Sequence, residues 1–392
     1  MSAWHPIPIR NVDIDDILAA EGTALGIERE WIQVVACGAA IGVVDSYDPN
    51  ARAHLVDLAR RYRADPLPQL SDNALPSVSV VIPTIADDLP SLHATVASIT
   101  AMAYPKIEIV VVDNRRSRHL DTLDLGEGNA VRVVRETHPG ISAARNRGVS
   151  ATSGELVLFT DDDAIVDPAW ARRLGERFVS DPHIAGIGGL ILPQELSTPA
   201  QLWFEEFYGG FSRSFGHDRF TLTDQRPDNP LFPFQPGLYG AGCNMAFRRT
   251  ALEQIGPFNE ALGTGTPARG GEDLDMFMRL ILSGRTLAFE PSAIVRHRHR
   301  ESWRSFHRQV FGYGVGLSGM FTALVVRDPS QLMAIARRIR VGLAELWRPR
   351  AHRSPSARPS YPRVTLIWQI LGLVYGPAAY AYSVARDRKT RE

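Results

Sequence analysis

The chain has 392 residues, which is too many for one small core and predicts one large domain with additions. Its 43 basic and 43 acidic side chains leave no net charge, which disfavours a nucleic-acid partner. Cys37 and Cys243 are too few for a disulfide framework or a four-thiolate zinc site, and they indicate a reducing compartment. The polar N-terminus lacks the apolar stretch of a signal peptide, so we expect a cytoplasmic location.

Residues 1–76 carry no recognisable chemistry and are predicted to form an N-terminal appendage and linker. Short apolar runs at Trp31–Ala36 and Ile41–Val44 precede a helix-like stretch, Ala51–Arg63. The segment Asp65–Pro76 is rich in proline and small polar residues, which is typical of a linker. The appendage is either a small α+β module or an extra layer on the main domain.

Residues 77–303 predict an α/β domain. Short β-branched runs alternate there with helical stretches, and the runs are apolar nearly throughout, as in strands buried on both faces of a parallel sheet. The alternation is typical of a doubly wound, mostly parallel open sheet with flanking helices, whose ligands lie beyond the carboxyl ends of the strands. The predicted strands are VSVVI (78–82), IEIVVV (107–112), VRVV (131–134) and LVLFT (156–160), and the helices lie around Leu89–Met102 and Ser142–Thr152.

Polar residues follow the first two strands. Pro83 and Thr84 come after the first, and Asp113 and Asn114 come after the second. A carboxylate and an amide at such a position can hydrogen-bond the base or ribose of a nucleotide. Capping of a turn or helix explains Asp113 equally well when it is considered alone.

Three consecutive aspartates, Asp161, Asp162 and Asp163, follow the fourth predicted strand. Adjacent carboxylates repel one another unless a cation neutralises them, and in an extended chain the outer two point the same way. Carboxylate oxygens suit Mg²⁺ or Mn²⁺ bound together with substrate phosphates. A solvated acidic loop is the alternative, which the preceding buried strand disfavours. No Walker-type phosphate loop is present, so metal and arginine would hold the phosphates.

The segment HPGISAARNRG (138–148) offers further groups for a phosphate. Gly140 allows close backbone approach, and Arg145 and Arg147 are candidate phosphate ligands. The alternative is an ordinary helix start with solvated arginines, which we favour for Arg147 more than for Arg145.

An amphipathic helix is predicted after the glycine-rich segment 263–271, with Glu272 and Asp273 in its first turn. Acids there commonly complement the helix dipole. A carboxylate fixed on a helix end beside a flexible approach is also well placed to act as a general base. Past the next short strand, His297 and His299 point the same way if extended, so either could complete a metal site begun by the aspartates.

In order and spacing, the motifs VSVVIPT, VVVDN, GISAARNRG, FTDDDA and GGEDLD, with the later His297, resemble family 2 glycosyltransferases of the GT-A fold. The resemblance covers roughly residues 77–303. It implies an inverting transfer of a sugar from a nucleotide-diphosphate donor, with Mn²⁺ or Mg²⁺, to a hydroxyl of a glycan or lipid-linked acceptor of the cell envelope. Longer forms of these motifs, such as GAGCNMAFRR, resemble those of an actinobacterial subgroup of the family.

The resemblance also implies roles for individual residues. By position, Asp273 matches the family's catalytic base, with Glu272 beside it. Family members differ in which aspartate of the triplet touches the metal, so the role of Asp162 is ambiguous. The implied metal ligands are Asp161, Asp163 and His297, and the implied donor-binding residues are Pro83, Thr84, Asp113, Asn114, Arg145, Asp161 and Asp162.

Two other functions remain open from the sequence. A nucleotidyltransferase acting on a sugar phosphate also uses metal and nucleotide, but it releases pyrophosphate, whereas a glycosyltransferase releases a nucleoside diphosphate. A non-catalytic nucleotide-sugar-binding protein is the second alternative. The intact acids of the motifs speak against it, because a lapsed site has no physical reason to keep uncompensated carboxylates.

The C-terminal region, residues 304–392, predicts helices associated with a membrane. Val310–Val326 and Val364–Ala385 are uncharged, and the second could cross a hydrocarbon core of about 30 Å. The arginine-rich stretch Arg327–Arg363 favours anionic lipid on the cytoplasmic side. If both apolar runs crossed the membrane, this stretch and the catalytic domain would lie on opposite sides of it. Gly376–Pro377 instead favours a segment that lies in the membrane interface. We therefore predict peripheral or monotopic attachment at the inner face of the cell membrane, with core packing of the first run as the alternative.

Overall fold

A computed structural model of the chain describes residues 4–19, 30–45, 50–62, 69–116, 123, 125, 131–211, 214–223, 226–347 and 363–391. The predicted linker Asp65–Pro76 and the arginine-rich stretch Arg327–Arg363 lie partly outside these residues. Within the linker, Asp72–Ala74 forms a single 3₁₀ turn.

The N-terminal appendage is a small α+β unit with its own core. Its elements are β1 (Ile9–Asp13), α1 (Ile14–Ala19), β2 (Trp31–Ala36), β3 (Ala39–Asp45) and α2 (Ala51–Arg61). Strand β2 pairs parallel with β1 and antiparallel with β3, and Ile17, Ile32 and Leu55 share one buried cluster. The unit also contacts the main domain, because Arg296 donates a hydrogen bond to the buried Gln33 at 2.9 Å. It is therefore both a small module and an added layer.

The main domain is built on one nine-stranded sheet. Its strands are β4 (Val78–Thr84), β5 (Ile107–Asp113), β6 (Val131–Arg135), β7 (Leu156–Phe159), β8 (Ala164–Val166), β9 (Ile184–Pro193), β10 (Asp218–Phe220), β11 (Met245–Arg248) and β12 (Thr286–His297). The order is β10-β12-β9-β11-β7-β4-β5-β6, and β8 pairs with β12. Strands β7, β4, β5 and β6 are parallel, which confirms the four predicted strands, whereas β11 pairs antiparallel with both β7 and β9.

Helices cover both faces of this sheet, which confirms the doubly wound α/β architecture. Val80 and Ile82 of β4 share a buried cluster with α3 (Leu89–Thr100) and α5 (Trp170–Ser180), whereas Val81 belongs to the cluster of α4 (Ile141–Ser150) and α8 (Glu272–Leu282). The partners alternate because successive side chains of a strand point to opposite faces. The short helices α6 (Pro199–Trp203) and α7 (Arg249–Ile255) lie between these elements in the chain.

Three helices form the C-terminal part: α9 (Trp303–Arg327), α10 (Gln331–Trp347) and α11 (Arg363–Arg391). Helices α9 and α11 run side by side in the same direction and touch through glycines. A Cβ atom on Gly314 would collide with the backbone of α11, and a Cβ on Gly372 or Gly376 would collide with the backbone of α9. Small residues spaced by four allow such close helix packing.

The opposite side of α9 packs on the main domain. A Cβ on Gly316 would lie 2.7 Å from the carbonyl carbon of Gly270, and Val315, Met320 and Leu324 are buried. In the described part of the chain, α9 and residues 364–389 of α11 are long and apolar enough to cross a membrane, but half of the most apolar window of α9 is buried in the protein. The alternative of core packing therefore applies to much of Val310–Val326.

Candidate active site

The acidic triplet lies in a turn between β7 and β8, at the carboxyl edge of the parallel strands. Asp162 accepts a hydrogen bond from the hydroxyl of Thr84, which follows Pro83 at the end of β4. The turn replaces the extended geometry considered for Asp161 and Asp163, and these two acids face different partners. Burial, together with the two neighbouring carboxylates, raises the pKa of Asp162 to about 7. The fold therefore concentrates more negative charge here than its surroundings stabilise.

His297 joins the end of β12 to the triplet. Its Nε2 atom lies 3.2 Å from Oδ1 of Asp163. Burial lowers the pKa of His297, but the Asp163 carboxylate outweighs this effect and the net pKa is raised. Burial raises the pKa of Asp163, yet His297 brings it down to about 2. Each partner therefore favours the charged form of the other.

Arg145 of α4 lies at the centre of the site and is only 1% exposed. Arginine is rarely so buried unless it is paired. Its Nη1 donates to Oε1 of Glu272 at 2.7 Å, and its Nη2 donates to Oδ1 of Asp161 at 3.2 Å and to the Gly242 carbonyl at 3.1 Å. One guanidinium thus links α4, the triplet, α8 and the glycine-rich loop before β11.

Glu272 and Asp273 open α8, which begins after Gly271 in the left-handed conformation (φ 86°). Burial and the adjacent Asp273 raise the pKa of Glu272 to about 7, against the lowering effect of Arg145. Asp273 is only half-buried, and its Oδ2 accepts a hydrogen bond from the Gly242 N–H at 2.8 Å. The two acids therefore divide: Glu272 pairs with the buried arginine, and Asp273 stays accessible at the cleft.

The approach to α8 depends on glycine contacts with neighbouring elements. A Cβ on Gly271 would collide with the carbonyl oxygen of Gly316 in α9. A Cβ on Gly263 would lie 2.7 Å from Ile141 at the start of α4 and 3.2 Å from Glu272. Both glycines also have a positive φ, a backbone conformation that residues with a Cβ atom rarely adopt. The acidic pair is therefore held by backbone packing from two sides.

Cys243 is a residue of this site that the sequence analysis missed. Its sulfur, a carboxylate oxygen of Asp161 and a ring nitrogen of His297 all lie within 4.8 Å of one another. The side chain is 3% exposed, and burial together with Asp161 raises the pKa of the thiol. The cysteine count excluded thiolate frameworks but did not address a single thiol. Its place at the end of the glycine-rich run GLYGAGC was the available signal.

The grouped side chains fit a divalent cation. Asp161, Cys243 and His297 each bring a ligand atom within 4.8 Å of the other two, and Asp163 contacts His297. Carboxylate oxygens with an imidazole nitrogen suit Mn²⁺, while Mg²⁺ prefers the oxygens. Nδ1 of His297 is buried and has no hydrogen-bond partner among the described residues. Cys243 adds a softer donor.

The two residues at the end of β5 that are predicted to bind nucleotide, Asp113 and Asn114, form ion pairs and hydrogen bonds within the protein. Asp113 pairs with Arg115 at 2.8 Å and with Arg135 at 2.7 Å. Burial raises the pKa of Asp113, but the hydrogen bonds from these arginines bring it below its ordinary value. Asn114 uses its amide to hold backbone groups of the loop 136–140. This pair therefore fixes the loop before α4, and its contact with a nucleotide stays a prediction.

His299 contacts a glutamate and not the aspartate triplet. Its Nε2 atom lies 2.5 Å from Oε1 of Glu205, and both side chains are buried. Phe211 packs beside both histidines, with ring centroids 5.1 Å from His297 and 5.6 Å from His299, and the two histidine rings stack 6.0 Å apart. Of the two histidines that the sequence left open, His297 is the one that faces the triplet.

Residues 79–256 match the sequence model of glycosyl transferase family 2. The chain carries a family 2 glycosyltransferase domain. The match contains β4 to α7, with the triplet, Arg145 and Cys243, whereas Glu272, Asp273 and His297 follow it. The chain is therefore a glycosyltransferase, which confirms the resemblance found in its motifs.

The chain is similar to other glycosyltransferases. It is 25% identical over 243 residues to the glucosyl-dolichyl phosphate glucuronosyltransferase of Haloferax volcanii, spanning 60% of this chain and 73% of that protein. It is 27% identical over 256 residues to the pre-mycofactocin glycosyltransferase of Mycobacterium tuberculosis, spanning 65% of this chain and about half (48%) of that protein. Among solved structures, the mannosyltransferase PcManGT from Pyrobaculum calidifontis, in complex with GDP-Man and Mn²⁺, is 20% identical, with a TM-score of 0.48 over 84% of each chain.

Replacing Arg145 by methionine is expected to destabilise the protein by about 3–5 kcal/mol near neutral pH, because it leaves two carboxylates without their buried cation. Without Arg145 the folded-state pKa values of Glu272 and Asp161 rise further above their unfolded values, so the variant loses stability as pH rises above about 4. Urea unfolding at pH 5 and pH 7.5 measures both effects. Arg147→Met, exposed on the same helix, is the control, and equal stability of the two variants at pH 7.5 would contradict the central role of Arg145.

Proposed function

We propose that this glycosyltransferase is an inverting, metal-dependent enzyme that moves a sugar from a nucleotide-diphosphate donor to a hydroxyl acceptor, with Asp273 as general base. The convergence of acids at one edge of the sheet carries the proposal. The aspartate triplet and Glu272 come from distant parts of the chain. Arg145 pairs with Asp161 and Glu272, and His297 pairs with Asp163. A cation and a diphosphate ligand would complete the charge balance of such a cleft.

Asp273 is suited to accept the proton of the acceptor. Its neighbour Glu272 is tied to Arg145, whereas Asp273 is half-buried and held in place by the Gly242 N–H. In the proposed step the acceptor oxygen attacks the anomeric carbon as its proton passes to the Asp273 carboxylate. The bond to the diphosphate oxygen breaks on the opposite face, and the diphosphate leaves with the electron pair. This single displacement inverts the anomeric configuration.

The proposed cation ligands are Asp161, Asp163 and His297, with the Cys243 sulfur close enough to join them. When bound, the cation would neutralise the negative charge that develops on the departing diphosphate. Arg145 orients Asp161 from behind, so we assign it a positioning role in addition to the predicted phosphate contact. On the donor side, we assign the other positions as the resemblance implies: Pro83, Thr84, Asp113, Asn114 and Asp162.

Asp273→Asn is expected to lower kcat by about 10²–10⁴-fold while donor affinity stays within about twofold, because the amide keeps the shape but accepts no proton. Release of nucleoside diphosphate measures turnover, and calorimetry measures donor binding. Glu253→Gln, which also replaces a carboxylate by an amide but at an exposed position of α7, is the matched control. Unchanged turnover in Asp273→Asn would refute the base assignment, and release of pyrophosphate in place of nucleoside diphosphate would indicate a nucleotidyltransferase.

Chelation with EDTA is expected to abolish transfer, and Mn²⁺ or Mg²⁺ is expected to restore it. His297→Ala should raise the Mn²⁺ concentration needed for half-maximal activity by about tenfold or more, since one of the proposed ligands is lost. His299→Ala serves as the comparison, because His299 contacts Glu205 and lies outside the ligand group. Transfer that persists in EDTA, or an unchanged metal requirement in His297→Ala, would count against the metal role.

We further propose that the enzyme attaches to the cytoplasmic face of the membrane through α11 and α10, without spanning it. The outer side of α11 exposes an apolar stripe at helical spacing, in which Val374 is 75% exposed and Ile367 53%. On α10, Arg337 and Arg340 are exposed beside apolar side chains. Apolar surface next to arginines is the pattern of a helix that lies in the headgroup region of an anionic bilayer. The other large exposed apolar residues of the two helices are Leu332, Met333, Ile339, Val364, Trp368, Ile370, Leu371, Tyr375 and Tyr382.

This attachment would place the cleft at the bilayer surface. Helix α9 packs on α11 on one side and on the loop before Asp273 on the other. We therefore propose an acceptor hydroxyl of a lipid-linked glycan or related cell-envelope glycoconjugate, presented at that surface.

The double change Ile367→Ser and Val374→Ser is expected to weaken binding to vesicles containing phosphatidylglycerol by about tenfold or more, because two apolar side chains no longer enter the interface. Vesicle co-sedimentation measures the partition. Val179→Ser, an exposed valine of α5 on the catalytic domain, is the matched control. Full-length protein that stays in the supernatant with anionic vesicles would overturn the attachment.

A further inference from the structure

A second group of metal-ligating side chains joins the C-terminal helix to the catalytic domain. His138 precedes α4, Glu260 lies in the loop after α7, and Asp387 lies near the end of α11. Nε2 of His138 is 2.8 Å from Oδ1 of Asp387 and 3.9 Å from Oε2 of Glu260. One ligand atom from each residue lies within 4.8 Å of the other two. None of these residues belongs to the cleft described above.

The three side chains are close enough to share an ion, and the 2.8 Å between His138 and Asp387 is also the length of a hydrogen bond. Nε2 of a histidine carries at most one proton, so it can donate to one carboxylate, and 3.9 Å to Glu260 exceeds a hydrogen bond. Ligand atoms around a tetrahedral ion lie roughly 3.4 Å apart, which follows from metal–ligand distances of about 2.1 Å. The separations of 2.8 and 3.9 Å bracket that value.

The three side chains also border a cavity of about 20 Å³. That volume holds one water-sized or ion-sized occupant. Thr266 and Ser383 line the same cavity and offer hydroxyls for a bound water, and the two carboxylates outnumber the one arginine in its wall, Arg386. All three ligand residues are half-buried, so an ion could enter from solvent and still be partly shielded from it.

Two of the ligands are fixed by the catalytic domain. Glu260 accepts a hydrogen bond from Asn146 of α4 through its other oxygen, Oε1, at 2.9 Å. The backbone of His138 is held by Glu136, whose Oε1 accepts from its N–H at 2.7 Å, and by the Asn114 amide. Asp387 is the ligand that α11 contributes. An ion bound here would therefore fasten the end of the C-terminal helix to the loop that precedes α4.

We propose that His138, Glu260 and Asp387 form a divalent-cation site, suited to Zn²⁺ or a similar ion that accepts one imidazole and two carboxylate ligands, which fastens α11 to the catalytic domain. The donor set is nitrogen and oxygen in a three-residue arrangement that leaves a position for water. The site is independent of the proposed sugar transfer, because it shares no residue with the catalytic cleft.

The test uses the full chain, stripped with chelator and dialysed against Zn²⁺, with bound zinc counted by elemental analysis. Asp387→Asn is expected to bind one equivalent less than the unaltered protein, whatever the cleft binds, or to bind that equivalent at least tenfold more weakly. The amide retains the shape and can still contact His138, so the fold should persist, and circular dichroism checks this. Glu253→Gln, which changes an exposed carboxylate outside this group, should keep the full zinc content.

Hydrogen exchange supplies a second readout that does not depend on the cleft. Zn²⁺ is expected to slow exchange about tenfold in the last turns of α11, residues 383–389, in the unaltered protein but not in Asp387→Asn. His138→Gln is the second variant, because it removes the imidazole from the domain side of the contact. If both variants keep the unaltered zinc content and affinity, or if Zn²⁺ slows exchange equally in all proteins, the site is refuted.

Discussion

Arg145 is buried among carboxylates from two other parts of the chain, and the cleft depends on this ion pairing. Its guanidinium reaches Glu272 at the start of α8 and Asp161 after β7, and it also binds the carbonyl of Gly242. Taking such charges out of water is costly unless each is paired and hydrogen-bonded, so their positions are set together. Because Glu272 satisfies the arginine, Asp273 beside it remains accessible at the cleft.

Close glycine packing gives the second constraint, and it connects the cleft to the C-terminal helices. Gly271, which starts α8, leaves no room for a side chain against Gly316 of α9. On its other side α9 meets α11 through Gly314 and Gly372. Interiors packed this closely transmit displacements instead of absorbing them. The helix that we propose to lie on the membrane is therefore separated from the start of α8, which carries the proposed base, by one helix, α9.

Much of the catalytic domain was predictable because its signals are local. Apolar strand runs and helical periodicity identified β4, β5, β6 and β7 within one or two residues. Strands β4 and β7 are buried throughout, as such runs predict, whereas β6 is a half-exposed edge strand. The antiparallel strand β11 was not predicted as part of the same sheet, since its four residues carry no pattern that reveals a partner. Cys243 was missed for a similar reason, because a single thiol acquires meaning only through the residues that fold against it.

The sequence by itself determined the α/β class, the family and the set of acids, because motif order and periodicity are properties of neighbouring residues. Only the tertiary structure decided how those acids are used. It paired Arg145 with Glu272 and Asp161, turned His297 towards Asp163 and His299 towards Glu205, and engaged Asp113 with two arginines. The physical reason is that charge pairing depends on distances of a few ångströms between residues that are far apart in the chain, and spacing along the chain does not encode those distances.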